Sequence, residues 1–224
     1  MNGSGVRNFA FVCAMSGSFG LLGIPTANAV TFNLGLLAPG PLGTTQAYTV
    51  GGVTITAAGF SSASALAGAP NVGLFGKTGA GDETGLGLQN DMFGEDEISG
   101  TSLVQINATG LTNVSFAMNS VTTSADGGGP EAWEVWGSNS ATALGAPIAF
   151  GSDEGVSHSL PSFDFYNFAA QFFANTNGNV LISSIDASPV PLPPAIFLFG
   201  TALAGLGAFI VRRRRKEGSA LQAV

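Results

Sequence analysis

The chain has 224 residues, 45% of them hydrophobic and 9% charged, with 33 glycines and a formal net charge of −7. Such a composition excludes a disordered chain and points to a turn-rich β protein, with room for about one domain between terminal signals. From residue 30 to 188 Lys77 is the only cation against thirteen carboxylates, a surface that repels anionic polymers, so no nucleic-acid partner is expected.

Residues 1–29 have the layout of a secretory signal peptide. Arg7 supplies the positive start, residues 9–24 the apolar core, and Pro25 breaks the helix. Ala27-Asn28-Ala29 then sets small side chains at the two positions a signal peptidase pocket reads, so cleavage is expected before Val30. The alternative, an uncleaved anchor, is disfavoured by Gly17, Gly20 and Gly23, which interrupt the helix. Cys13 is the single cysteine and falls inside this segment. The mature chain is therefore expected to hold no disulfide, thiolate nucleophile or cysteine metal site. Ala10-Phe11-Val12-Cys13 lacks the small residue that lipidation needs before the cysteine.

Residues 30–188 form the predicted ectodomain. Runs of β-branched and aromatic residues recur between clusters of Gly, Asn, Asp, Ser and Pro. Residues 48–50 and 53–56 read as a hairpin around Gly51-Gly52. Further strands are predicted over 102–107, 113–118, 132–137, 147–150, 163–168 and 180–185, with Phe163 and Phe165 facing inward, joined by Tyr166 or Phe168. Helical periodicity is absent ahead of the tail. Seven to nine strands in about 160 residues suit an all-β, two-sheet sandwich of jelly-roll type; a closed barrel is the alternative.

Three groups within this segment bear on chemistry. Asp82, Glu83, Asp91, Glu95, Asp96 and Glu97 crowd into sixteen residues. Calcium takes several hard oxygen ligands, and a glycine-punctuated loop can bend carboxylates around one ion. Their spacing is not that of an EF-hand, and a solvated acidic loop is the plainer reading. Trp133 and Trp136, three apart, face opposite sides of a strand. One is expected in the core, and the other either lines an edge or stacks on a sugar ring. Asp153, Glu154 and His158 suggest an acid–base group, but no serine is singled out as nucleophile and no carboxylate pair is marked for glycoside hydrolysis. Gly-x-Ser-x-Gly, His-Glu-x-x-His and P-loop motifs do not occur, and no enzyme activity is expected. Two glycosylation sequons, at Asn107 and Asn113, carry no weight.

Residues 189–216 form a three-part tail. Val190, Pro191, Leu192, Pro193 and Pro194 lead into seventeen residues, 195–211, that are apolar or small except for Thr201. At ~1.5 Å per residue this makes a helix of about 25 Å, the short end of what spans a bilayer. Arg212, Arg213, Arg214, Arg215 and Lys216 follow; they cross hydrocarbon only at high cost and so mark the cytoplasmic side. A core helix seldom ends in such a run. Residues 217–224 then read as a short cytoplasmic tail.

That order of proline motif, hydrophobic helix and basic cluster resembles a PEP-CTERM sorting signal, closest to the VPLPA variety with Pro194 in place of its usual alanine. The family usually stops soon after the cluster, whereas eight residues follow here. The resemblance implies a bacterial surface protein, held in the inner membrane and cut near the motif by an exosortase, a membrane-embedded enzyme of cysteine-transpeptidase type. In Gram-negative bacteria such substrates usually accompany exopolysaccharide production. The ectodomain, with Val53-Thr-Ile-Thr56, Leu74-Phe-Gly-Lys77, Gly81-Asp-Glu-Thr-Gly-Leu-Gly-Leu88 and Gly178-Asn-Val-Leu-Ile-Ser-Ser184, is similar to ectodomains of other PEP-CTERM proteins. Its Trp133-Glu-Val-Trp-Gly-Ser-Asn139 run resembles galactose-binding-like jelly rolls, an analogy of fold only. The expectation is a non-enzymatic surface or matrix protein with calcium as its one candidate ion. Exosortase, signal peptidase with the secretion machinery, inner membrane and exopolysaccharide are its expected partners. The alternatives are a carbohydrate-binding module and, last, a glycan hydrolase.

Overall fold

Alternation of apolar and polar side chains decides which face of each strand turns inward. The computed structural model describes residues 28–89, 94–121, 131–171 and 178–190, with 199–200, 202–203 and 206. Two antiparallel sheets hold all the strands among them. One sheet contains β3 (Thr45–Val50), β4 (Val53–Phe60), β8 (Leu103–Asn107), β10 (Trp133–Ser138), β11 (Ala146–Gly151) and β13 (Phe165–Ala170), in the order β11-β10-β13-β8-β4-β3. The other contains β1 (Val30–Asn33), β2 (Gly40–Pro41), β5 (Leu74–Thr78), β6 (Thr84–Leu88), β7 (Ile98–Ser99), β9 (Leu111–Asn119), β12 (His158–Ser159) and β14 (Asn179–Pro189). Its order is β12-β9-β14-β6-β5-β2, with β1 and β7 also paired to β14. One turn of helix, α1 (Leu34–Leu37), and a 3-10 turn, Ala63–Ala67, complete the elements.

The sheets meet face to face. Ile55, Val104, Trp133 and Phe168 of the first share one core with Phe32, Leu86, Phe116 and Ile182 of the second. Phe116 bridges them, edge-on to Trp133 at 5.1 Å and to Phe168 at 5.2 Å between ring centres. This is a β-sandwich, and two separate sheets rule out the closed barrel. The predicted hairpin is present and longer than expected, with Val50 opposite Val53. Its two-residue turn needs positive φ twice, which Gly51 (58°) and Gly52 (80°) supply.

The inward face of β13 corrects the sequence reading by one residue. Tyr166, Phe168 and Ala170 enter the core, Phe165 takes the opposite parity, and Phe163 packs half-buried against the core from outside the strand. Tyr166 fixes this corner: its Oη donates to the Pro161 carbonyl (2.9 Å) and accepts the Phe163 N–H (3.1 Å). Beyond the main core, the outer face of the first sheet carries a second cluster of Phe60, Leu66, Leu103, Trp136 and Ala169. Residues 139–145 cover it, held where Gln105 Nε2 donates to Ala141 O (3.1 Å) and Asn167 Nδ2 to Leu144 O (2.9 Å).

The chain enters and leaves at one end of the sandwich. β1 lies antiparallel on β14 with Val30 opposite Ala187, and β14 continues to Pro189, opposite Leu111. The Val190 N–H then bonds to Gly110 O at 3.1 Å. Sandwich pairing thus reaches the first residue of the predicted sorting motif. Ala29 is exposed just ahead of β1; Ala27, Pro191, Leu192, Pro193, Pro194 and the basic run Arg212 to Lys216 lie outside the described residues, as do most of residues 1–29 and 195–211, where a signal peptide and a tail helix were expected. Among the described residues no helix is long and apolar enough to cross a membrane. The few tail positions that are described are helical, with Phe199, Leu203 and Leu206 exposed.

Candidate functional site

The sequence Thr84-Gly-Leu-Gly-Leu88 sets up the most unusual group in the molecule. Leu86 and Leu88 point into the core, which leaves Gly85 and Gly87 on the outer face of β6. A Cβ on Gly87 would overlap the Asp96 carbonyl oxygen and the Glu97 Cα, so the loop before β7 lies directly on the strand. Gly94 and Asp96, both with positive φ, bend that loop back. The result is a glutamate, Glu97, with no solvent exposure.

Three neighbours meet it. Lys77 comes from β5, opposite Gly85, Glu83 from the turn ahead of β6, and Ser120 from just past β9, held at φ +55°. The Lys77 ammonium bridges Glu83 and Glu97. Ser120 Oγ donates to Glu97 Oε2 at 2.9 Å and lies 3.5 Å from Glu83 Oε1. Burial pushes the Glu97 carboxyl up to about 7, against the opposing pull of Lys77 and Ser120. Burial also works against the Lys77 charge, but the hydrogen bonds and charges of Glu83 and Glu97 outweigh it and raise Lys77. Near neutrality Glu97 is thus partly protonated; Glu83 is the more exposed of the two carboxylates on the ammonium. Beside this group, Glu154 is raised by partial burial and then by the charge and hydrogen bond of Asp82.

Of the six carboxylates singled out for calcium, Glu83 and Glu97 therefore converge on Lys77, and Asp82 turns to Glu154. Glu95 and Asp96 belong to the loop over β6, and Asp91 lies outside the described residues. The ammonium takes the place between Glu83 and Glu97 that a cation ligated by both would need. Among the described residues no group of three or more His, Cys, Asp or Glu is arranged to hold a metal ion. Chemically the arrangement is a clamp: it neutralises buried charge and ties β5, β6, the loop before β7 and the end of β9 together.

The two tryptophans do face opposite sides, but neither offers a ring to a ligand. Trp133 is fully buried in the core, its Nε1 donating to Asp153 O at 3.0 Å. Trp136 is 5% exposed within the outer cluster, where Phe60, Leu66 and Leu144 pack with it. Of the two readings of the second tryptophan, its burial fits packing: residues 139–145 and the 3-10 turn supply a third layer over this part of the sheet, which strand periodicity alone does not reveal. Asp153 and His158 do come together, Nε2 lying 2.8 Å from Oδ2 without hydrogen-bond alignment. The imidazole sits against Trp133 and Phe116, with ring centres at 4.9 and 5.4 Å. Glu154 turns to Asp82 instead, so the three do not assemble as an acid–base group.

Sequence reasoning missed the roles of Lys77 and Ser120. The signal for Lys77 was present, since one cation among thirteen carboxylates must find several partners once folded. Comparison with models of known protein families, with curated proteins and with solved structures finds no match to this chain.

Proposed function

We propose that this chain is an exported, non-enzymatic bacterial surface or matrix protein, tethered by its C-terminal tail and released or transferred by an exosortase. The observation that carries this reading is the pairing of Val30 with Ala187: the residues after the predicted signal peptide and before the predicted sorting motif are neighbours on adjacent strands. A domain whose two ends were threaded through one membrane must present both ends on one side, and this sandwich does. The folded unit also fills the space between the signals, from Val30 to Pro189. Exposed Phe199, Leu203 and Leu206 on helical backbone favour an apolar environment for the tail.

The strand order supports a jelly-roll ectodomain. One sheet runs β6-β14-β9-β12 and the other β8-β13-β10-β11, the interleaving of two Greek keys over eight strands. In the tail, burial of residues 195–211 in hydrocarbon holds the helix while Arg212 to Lys216 fix its orientation. The proline motif cannot complete a helix or a ladder, so it offers extended backbone to a protease. Outside the cell the acidic sandwich contributes structure or adhesion alongside exopolysaccharide.

Fractionation of a Gram-negative host producing the full chain without an exosortase tests the reading. The protein should be recovered in the inner membrane with residues 30–190 protected from cytoplasmic protease and digested after the outer membrane is opened. Recovery as an uncut soluble chain in the cytoplasm would overturn it.

A further inference from the structure

The end of the sandwich at which the chain enters and leaves is built differently from the opposite end. It holds the Gly51-Gly52 turn, the turn at 108–110 between β8 and β9, the first residue of β1 and the last of β14. The Val30 side chain packs beside Gly51, Val190 is exposed, and Asp164 and Asp186 are the carboxylates of this half. The other nine described carboxylates, with Lys77, lie toward the far end. That placement follows from the register: Trp133 pairs with Ala170, Asn179 with Ser99, and Ser120 follows the last residue of β9.

Only residues 191–194 separate the bonded Val190 from the start of the apolar tail segment at Ala195. Five residue steps reach at most about 18 Å when fully extended. The headgroup layer alone takes roughly 5–8 Å of that on each side of the hydrocarbon. A sandwich on so short a leash cannot tumble freely, and an anionic lipid surface repels its acid-rich end.

We infer that, while the tail is in the membrane, the sandwich stands end-on to the bilayer. The Gly51-Gly52 and 108–110 turns are seated on the lipid headgroups, and the acid-rich end is turned outward as the surface other molecules meet. The occupant of the entry end is thus a phospholipid surface. This rests on the reading that residues 195–211 span the membrane.

Single cysteines test it in the full chain with Cys13→Ser: Thr49→Cys and Thr109→Cys near the entry end, Thr101→Cys and Ser152→Cys near the far end, all at exposed positions. In spheroplasts a bulky impermeant maleimide should label Thr49→Cys and Thr109→Cys several-fold more slowly than in detergent, with the other two unchanged. A fluorophore at position 109 should be quenched by headgroup-nitroxide lipid, and one at 152 should not. Equal labelling at all four sites in membrane-bound protein would overturn the end-on inference and leave the anchor intact. Protection that persists in detergent would place a protein, such as a second copy, on this end and also overturn it. Protein missing from the membrane fraction would instead sink the anchor reading itself.

Discussion

Glu97 shows how one buried carboxyl can set the pH response of a whole domain. Its folded-state value is raised from the ordinary 4.5 to about 7, with burial as the main cause. Between those two values the folded form holds its proton more tightly than the unfolded chain does. The contribution to stability is therefore full below about 4.5 and is lost as the pH rises through about 7. The expected change is on the order of 2–3 kcal/mol across that interval. Urea melts of residues 30–190 from pH 4.5 to 8 should show stability falling with pH, and Glu97→Gln should flatten that slope. A Glu97→Gln slope equal to wild type would assign the pH response to other groups. At this scale the sequence showed the ingredients and not the partners. The acidic crowding was plain, but the pairing of Lys77 with Glu83 and Glu97 depends on a loop folding back over a strand. The opposite facing of Trp133 and Trp136 was likewise legible, whereas the layer that covers Trp136 was not, because it comes from residues 139–145.

Among the elements, β6 carries the most information per residue. Its leucines fill the core and its glycines admit the loop that brings Glu97 in. Gly87→Ala places a methyl group against backbone atoms that cannot rotate away, and should cost about 1–3 kcal/mol by overpacking. The loop before β7 should lift, so the variant should also lose part of the pH response assigned to Glu97; calorimetry across the same pH range checks both. A melt unchanged from wild type would mean that the loop does not rest on this strand. The same glycines explain why β5 and β6 went unread as strands, since glycine weakens the β signal that valine and threonine gave in β4. β1 was missed for another reason: it has only four residues, and its partner β14 lies more than 150 positions along the chain. By contrast β8, β9, β10, β11 and β14 fell where runs of β-branched and aromatic residues placed them, with ends no more than four residues from the expected ones. For β13 the strand starts two residues later than expected and turns Tyr166 and Phe168 inward in place of Phe165, because Phe163 belongs to the tyrosine-held corner ahead of the strand.

At the scale of the molecule, the sandwich was legible because its composition left few other folds, while the convergence of its two ends was not. That convergence arises from β1 joining β14, a long-range pairing that no local pattern announces. It places the entry and exit segments side by side and leaves the acid-rich end far from both. Mass spectrometry of the mature protein from its native host, reading both termini at once, is the most direct test of the claim that two removable signals bracket this domain. The account predicts a chain that begins at Val30 and ends within residues 190–194, carrying whatever group the transfer attaches. An intact 224-residue polypeptide with Met1 and Val224 both present would contradict it.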